Sequence, residues 1–148
     1  MLEAAMFHVL VLDDEAERHR AFVDVLEGCE VQHVSTASEA KVALIEEDIF
    51  DLVCLDHDLG TTSRRSNTGM AVAEFIARDM RDKMPAHVLI HSNNAVAAER
   101  MQAELASSDR CLDMGISRYA YSAKMLERLP GWVRELTRNR DRRRSGSR

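Results

Sequence analysis

Along the chain, short unbroken apolar runs alternate with longer stretches in which apolar residues recur every three or four positions. Residues 7–12 (Phe-His-Val-Leu-Val-Leu) are the first run and predict a buried strand, ended by Asp13, Asp14 and Glu15. From Glu15 the spacing turns helical, with Ala21, Phe22, Val25 and Leu26 on one side and Gly28 as the stop. Residues 30–34 predict a short second strand. Ser38 is read as the N-cap of a helix over 39–47 that faces inward through Ala40, Ala43 and Leu44. Residues 52–55 (Leu-Val-Cys-Leu) predict a third strand, which runs straight into Asp56, His57 and Asp58 before Gly60 lets the chain turn.

Residues 61–67 carry no periodicity and read as a loop. A helix opens at Thr68 or Gly69, with Met70, Val72, Ala73, Ile76, Ala77 and Met80 inward. Beyond Pro85, residues 87–90 predict a fourth strand leading into His91, Ser92, Asn93 and Asn94. The helix over 95–105 faces inward through Val96, Met101 and Leu105. Residues 116–121 are the candidate fifth strand. Pro130-Gly131 marks a helix start or break, and Trp132, Val133 and Leu136 are the buried side of the helix beyond it. Strand and helix thus alternate five times, with connections too long for hairpins. That order predicts an α/β fold: a five-stranded parallel sheet with helices on both faces.

At 148 residues, the chain predicts one domain over 1–137, followed by a basic tail over 138–148. The tail holds six arginines against one aspartate, a balance of +5, so the rest of the chain carries −10 of the net −5. Such a tail is either solvated and disordered, or a weak, salt-sensitive contact to nucleic acid phosphates. Cys29, Cys54 and Cys111 are an odd, scattered set without metal-clip spacing, which fits a reducing, cytoplasmic setting. No apolar run approaches 18 residues, so no membrane span is expected.

Three predicted strands end in polar clusters: 13–15, 56–58 and 91–94. If the strands are parallel, the clusters share one edge of the sheet, where open α/β sheets bind ligands. That convergence says more than any single cluster, since a lone acidic pair often only caps a helix.

Val-Leu-Val-Leu-Asp-Asp-Glu at 9–15, Asp-Leu-Val-Cys-Leu-Asp at 51–56 and Leu-Ile-His-Ser at 89–92 resemble the receiver domains of two-component response regulators. The resemblance spans roughly residues 6–125 and implies a flavodoxin-like, receiver-like fold. By position it implies that Asp13 and Asp14 are an acidic pair holding Mg²⁺, Asp56 a phosphoryl acceptor, and Ser92 the hydroxyl that contacts the phosphoryl group. The chain departs from that pattern at His57 and Asp58, at Asn93-Asn94, and in lacking a Lys-Pro pair after the fifth strand, where Lys124 is the lone nearby lysine. Asp-Asp-Glu-x-x-Arg (13–18), Leu-Asp-His-Asp-Leu-Gly (55–60), Thr-Gly-Met (68–70) and His-Ser-x-Asn (91–94) resemble a divergent branch, the cyclic-phosphate-processing receiver-like domain. That resemblance implies action on cyclic phosphate ends such as those left on cleaved RNA.

The residue types suit such chemistry. Opening a cyclic phosphodiester needs charge neutralisation, a base and an acid. His57 and His91 are the expected acid–base pair, beside Asp56. Asp13, Asp14, Asp56 and Asp58 are the expected ligands of a divalent metal, Mg²⁺ or Mn²⁺. Arg18, Ser92, Asn94 and Thr68 are the expected phosphate contacts. Plainer readings stand beside these: His57 as a histidine satisfied by Asp58, His91 as a structural strand-end residue, Arg18 as a helix-face charge paired with Asp14 or Glu15, and Asn94 as a helix cap. Arg64-Arg65 are either solvated or steer an anionic substrate. His8, His19, His33 and His87 are assigned to structure or surface. The expected partner is an RNA end or a nucleotide phosphate. The two competing functions are a receiver phosphorylated on Asp56 and a non-catalytic module that binds a nucleotide or a protein.

Overall fold

The computed structural model describes residues 6–60 and 65–146. The apolar runs form five strands: β1 (His8–Leu12), β2 (Glu30–Val34), β3 (Leu52–Leu55), β4 (His87–Ile90) and β5 (Gly115–Arg118). Between and after them lie α1 (Ala16–Val25), α2 (Ala37–Glu46), α3 (Gly69–Glu74, continued by a π-helical turn over Phe75–Asp79), α4 (Ala95–Ala106) and α5 (Ala123–Gly146). The sheet order is β2-β1-β3-β4-β5, with every neighbouring pair parallel. This is the flavodoxin-like order, and it changes direction between β1 and β3. No helix among the described residues is long and apolar enough to cross a membrane.

Successive side chains of a strand point to opposite faces, and the core divides accordingly. Leu10, Leu12, Val53, Leu55, Val88 and Ile90 join one cluster with residues of α2, α3 and α4. Val9, Val11, Leu52, Cys54 and Leu89 join a second with Phe22 of α1 and Met125, Leu129 and Val133 of α5. The ladder runs one residue past three strands, through Asp13 N–H to Val34 O (3.1 Å), Asp56 N–H to Leu12 O (3.0 Å) and His91 N–H to Leu55 O (3.0 Å). The alternation therefore continues, and it assigns Asp13, Asp56 and His91 to the α1/α5 face.

Several boundaries differ from the sequence expectation. The cap of α2 is Thr36, not Ser38. Thr36 Oγ1 accepts from Glu39 N–H while the Glu39 carboxylate accepts from Thr36 N–H, a capping box that begins the helix earlier. Val96 is 62 % exposed, and α4 packs through Ala97, Ala98, Met101 and Leu105 instead. β5 ends at Arg118 rather than 121, although Tyr119 and Tyr121 still donate to the carbonyls of Ile90 and His91. Pro130 neither starts nor breaks a helix but lies inside α5, flanked by buried Leu129 and Val133 that hold the helix on the sheet. The arginine-rich stretch, expected as a disordered tail, continues α5 through Gly146. Arg140 ties it back to the body, 3.0 Å from the Asp51 carboxylate and stacked 5.8 Å from the Phe7 ring centroid. Of the loop over 61–67, residues 61–64, and with them Arg64, lie outside the described residues; Arg65 is exposed.

Candidate functional site

The ends of β1 and β3 meet where the strand order changes direction. Asp13 is fully buried; its Oδ1 accepts from Glu15 N–H at 2.9 Å. Its Oδ2 lies 3.0 Å from His91 Nε2 and 3.5 Å from Arg18 Nη1. Asp14 is exposed and accepts from Gly60 N–H at 2.8 Å, which anchors the chain as it leaves β3 at a positive φ of 94°. Asp56 is 5 % exposed. Each of Asp13, Asp14 and Asp56 presents one carboxylate oxygen within 4.8 Å of the others.

Thr68 and Gly69 close on this edge from the far side of the loop. Gly69 N–H donates to His57 O at 2.9 Å. A Cβ on Gly69 would lie 1.9 Å from Asp56 O, so only glycine lets α3 start this close to the end of β3.

The electrostatics follow from crowding. Burial, reinforced by the charge of Asp13, pushes the Asp56 carboxyl up to about 7, against the opposing pull of the His57 N–H and Arg18. For Asp13, burial works in the raising direction, but the hydrogen bonds from His91 and Glu15 N–H, with Arg18 nearby, hold it below its ordinary value. Burial pushes His91 down. The buried His91 Nδ1 has no partner, which suits a neutral ring donating Nε2–H to an ionised Asp13; a protonated ring would bury an unpaired N–H. Asp56 thus sits among negative charges with one distant cation, Arg18 Nη1 at 3.8 Å. Three oxygen donors with no nitrogen or sulfur among them fit a hard divalent cation, which would relieve that repulsion.

The remaining expected residues take other places. Asp58 lies outside the three-carboxylate group. The chain turns after Asp56, Asp58 pairs with Thr68 in an isolated antiparallel bridge, and the Asp58 carboxylate holds His57 Nδ1 at 2.7 Å. His57 and His91 do not face one another as a pair. His91 is buried against the rings of Phe22 (5.1 Å) and Tyr121 (6.3 Å), whereas the His57 side chain keeps 19 % of its surface exposed and is bonded to Asp58. Asn94 and Thr68 cap helices: Asn94 Oδ1 accepts from Ala97 N–H at 3.1 Å, and Thr68 Oγ1 from Ala71 N–H at 3.2 Å. Ser92 is buried and accepts from Asn94 N–H at 3.1 Å. Arg18 spans Glu15 (2.7 Å), Asp13 and Asp56, with its guanidinium 4.4 Å from the Tyr121 ring centroid.

Two participants escaped the sequence reading. Tyr121 carries the Arg18 guanidinium on its ring, from a place expected to be strand. His19 Nε2–H donates to Asp13 O at 2.6 Å and its Nδ1 meets His33 Nδ1 at 2.6 Å, a pair that pins the end of β1. The chain spacing holds no signal for either, because both contacts join distant elements.

The comparisons with known proteins agree with this geometry. The family model described as cyclic-phosphate processing receiver domain matches residues 8–107. No curated protein matches significantly. Among solved structures, the chain is similar to the response regulator protein TrrA from Thermotoga maritima in complex with Mg²⁺-BeF (TM-score 0.63, 22 % identity, covering 88 % of this chain and 99 % of that one). It is also similar to a CheY-like receiver domain from Methylobacillus flagellatus (TM-score 0.62, 15 % identity, 89 % and 99 % covered). A third is the signal receiver domain of a putative LuxO repressor protein from Vibrio parahaemolyticus (TM-score 0.61, 15 % identity, 93 % and 96 % covered). At these identities the structures speak for the fold alone. With the family match spanning both strand ends that carry the three carboxylates, the chain belongs to the cyclic-phosphate processing receiver domain family.

Proposed function

We propose that this chain is a divalent-cation-dependent phosphoesterase in a receiver frame, opening cyclic or terminal phosphates on RNA ends or nucleotides. The observation that supports it is the group Asp13, Asp14 and Asp56, three carboxylate oxygens within 4.8 Å of one another, next to Arg18 and immediately followed in the chain by the His57–Asp58 pair. Those three aspartates would hold Mg²⁺ or Mn²⁺, which supplies charge neutralisation at the phosphate when bound. Arg18 trades its long contact to Asp56 for a phosphate oxygen while Glu15 and Tyr121 keep its guanidinium in place.

Hydrolysis of a cyclic phosphodiester forms one P–O bond from water and breaks one ester P–O bond. Water loses a proton and the released sugar oxygen gains one. His57 is assigned both transfers: Asp58 holds its Nδ1, which leaves Nε2 to accept and return the proton. His91 takes no part in that exchange, because it is fully buried and committed to Asp13. The test is an oligonucleotide ending in a 2′,3′-cyclic phosphate, incubated with the protein and Mg²⁺ or Mn²⁺. The expected product has gained one water by mass, and His57→Ala and Asp56→Asn each abolish its formation. An untouched substrate with both metals overturns the reading.

A second reading is phosphorylation of Asp56 itself, favoured by the place of Asp56 at the end of β3 against Asp13 and Asp14. The cation that reaches Asp56 is Arg18 of α1, while Lys124 lies exposed in the first turn of α5. Acetyl phosphate with Mg²⁺ would then add one phosphoryl mass to the chain and none to Asp56→Asn, with cyclic ends left intact.

A further inference from the structure

We infer that the opposite edge of the sheet carries a second ligand site, one that takes a nucleoside monophosphate. A cavity of about 540 Å³ opens there, between the amino-terminal ends of the strands and the second half of α5. That volume lies within the range of small-molecule sites, generally a few hundred to about 1,000 Å³. Neither the carboxylate group nor the His57–Asp58 pair lines it.

The cavity follows from how α5 crosses the sheet. The helix starts beside the carboxyl end of β5 and runs back past the amino-terminal edge, where Arg140 reaches Asp51. Along the side that meets the sheet, Leu129, Trp132 and Leu136 give way to Asn139, Arg140 and Arg143, at spacings of three or four residues. The wall therefore changes from apolar to basic as it leaves the core. Opposite it, Phe7, Leu52 and Leu89 form an apolar floor. His87 and Ser117 sit at the foot of β4 and β5, hydrogen-bonded to each other at 2.8 Å. Gly115 keeps that corner open to the His87 ring, since a Cβ there would lie 2.2 Å from it.

The occupant is chosen by shape and charge. Trp132 and the leucines offer flat apolar surface to a heterocyclic base. Asn139 and the His87–Ser117 pair offer hydrogen-bonding groups to its edge, which a fatty acyl chain would leave unused. Three arginines line the cavity against two carboxylates, Asp51 and Glu135, and Asp51 is already matched by Arg140. The surplus positive charge lies at the mouth, on the exposed end of α5, and selects an anionic ligand. Arg143, exposed and on the lining, is assigned the phosphate.

Trp132 is the single tryptophan, so its fluorescence reports on the cavity directly. The full chain is titrated with AMP, GMP, CMP and UMP in EDTA, and the heat of binding is measured alongside. At least one monophosphate is expected to give saturable binding that Arg143→Glu weakens about tenfold and Asp56→Asn leaves unchanged. The melting midpoint of Arg143→Glu, an exposed helical position, confirms an intact fold. Three results overturn the site: no saturable binding up to millimolar monophosphate, binding that Asp56→Asn removes and Arg143→Glu spares, or uncharged nucleosides that bind as tightly as their monophosphates. None of these depends on whether cyclic ends are hydrolysed at the acidic edge.

Discussion

A carboxylate sealed from water holds the acidic edge together. Asp13 is at 0 % exposure and leans on His91, Arg18 and the Glu15 amide. His91 is therefore a supporting residue, and its loss should register as stability. His91→Leu leaves the Asp13 charge buried with its short side-chain partner gone and is expected to cost about 3 kcal/mol. Asp13→Asn in the His91→Leu background should recover most of that loss, because the stranded charge is then removed. His57→Ala, at a partly exposed position, should leave stability nearly unchanged. Urea denaturation of the four proteins reads the cycle, and a His91→Leu variant as stable as the parent would show that Asp13 does not depend on it. The sequence marks Asp13, Asp56 and His91 as rim residues because each directly follows an apolar strand. It does not separate His91 from His57. That distinction is set by which face of the sheet each side chain falls on, and by Phe22 and Tyr121, which come from distant parts of the chain.

The elements are legible where local pattern alone decides them, as in the four apolar runs β1 to β4 and the inward stripes of α2 and α3. Boundaries slip where a distant contact decides them. α5 extends through Gly146 because Arg140 finds Asp51, 89 residues away in sequence, and no local signal announces that pair. Val96 faces out although it is apolar, because Ala97 and Ala98 fill the close contact that α4 makes with its neighbours. Gly69 joins both kinds of information. The pattern reads it as a helix start, and it is one, yet its lack of a side chain serves β3. Gly69→Ala is accordingly expected to destabilise the fold by about 2 kcal/mol through overpacking, although alanine is the better helix former. Asp56 should register the same displacement. Divalent-cation affinity, followed by calorimetry, is expected to fall in Gly69→Ala, while an alanine at exposed Gly146 changes neither property. A fully stable Gly69→Ala with parental cation affinity would mean that the start of α3 can shift away from β3 without consequence.

Across the whole molecule, the charge imbalance of the sequence becomes an axis, with carboxylates at the carboxyl-terminal edge of the sheet and arginines at the other. The buried titrating groups tie this arrangement to pH. Burial holds His33, His87 and His91 below the ordinary histidine value of 6.5, so the unfolded chain takes up protons there that the folded chain refuses. Stability from these three groups is present above pH 6.5 and lost as pH falls below it. Asp56 acts in the opposite sense. Its folded carboxyl, at about 7, holds a proton that the unfolded carboxyl does not take until pH nears 3.8, so between those values it offsets part of the loss. A divalent cation on Asp13, Asp14 and Asp56 would keep Asp56 ionised and remove that offset. Stability should therefore fall more steeply with acidification in saturating Mg²⁺ than in EDTA, by up to one proton, or about tenfold in the folding constant per pH unit. Urea melts from about pH 7 to about pH 5 in the two conditions measure the difference. Equal slopes would mean that no cation competes with the Asp56 proton. Asp56→Asn, which has no proton to displace, should give equal slopes in both conditions and so ties the effect to that carboxyl.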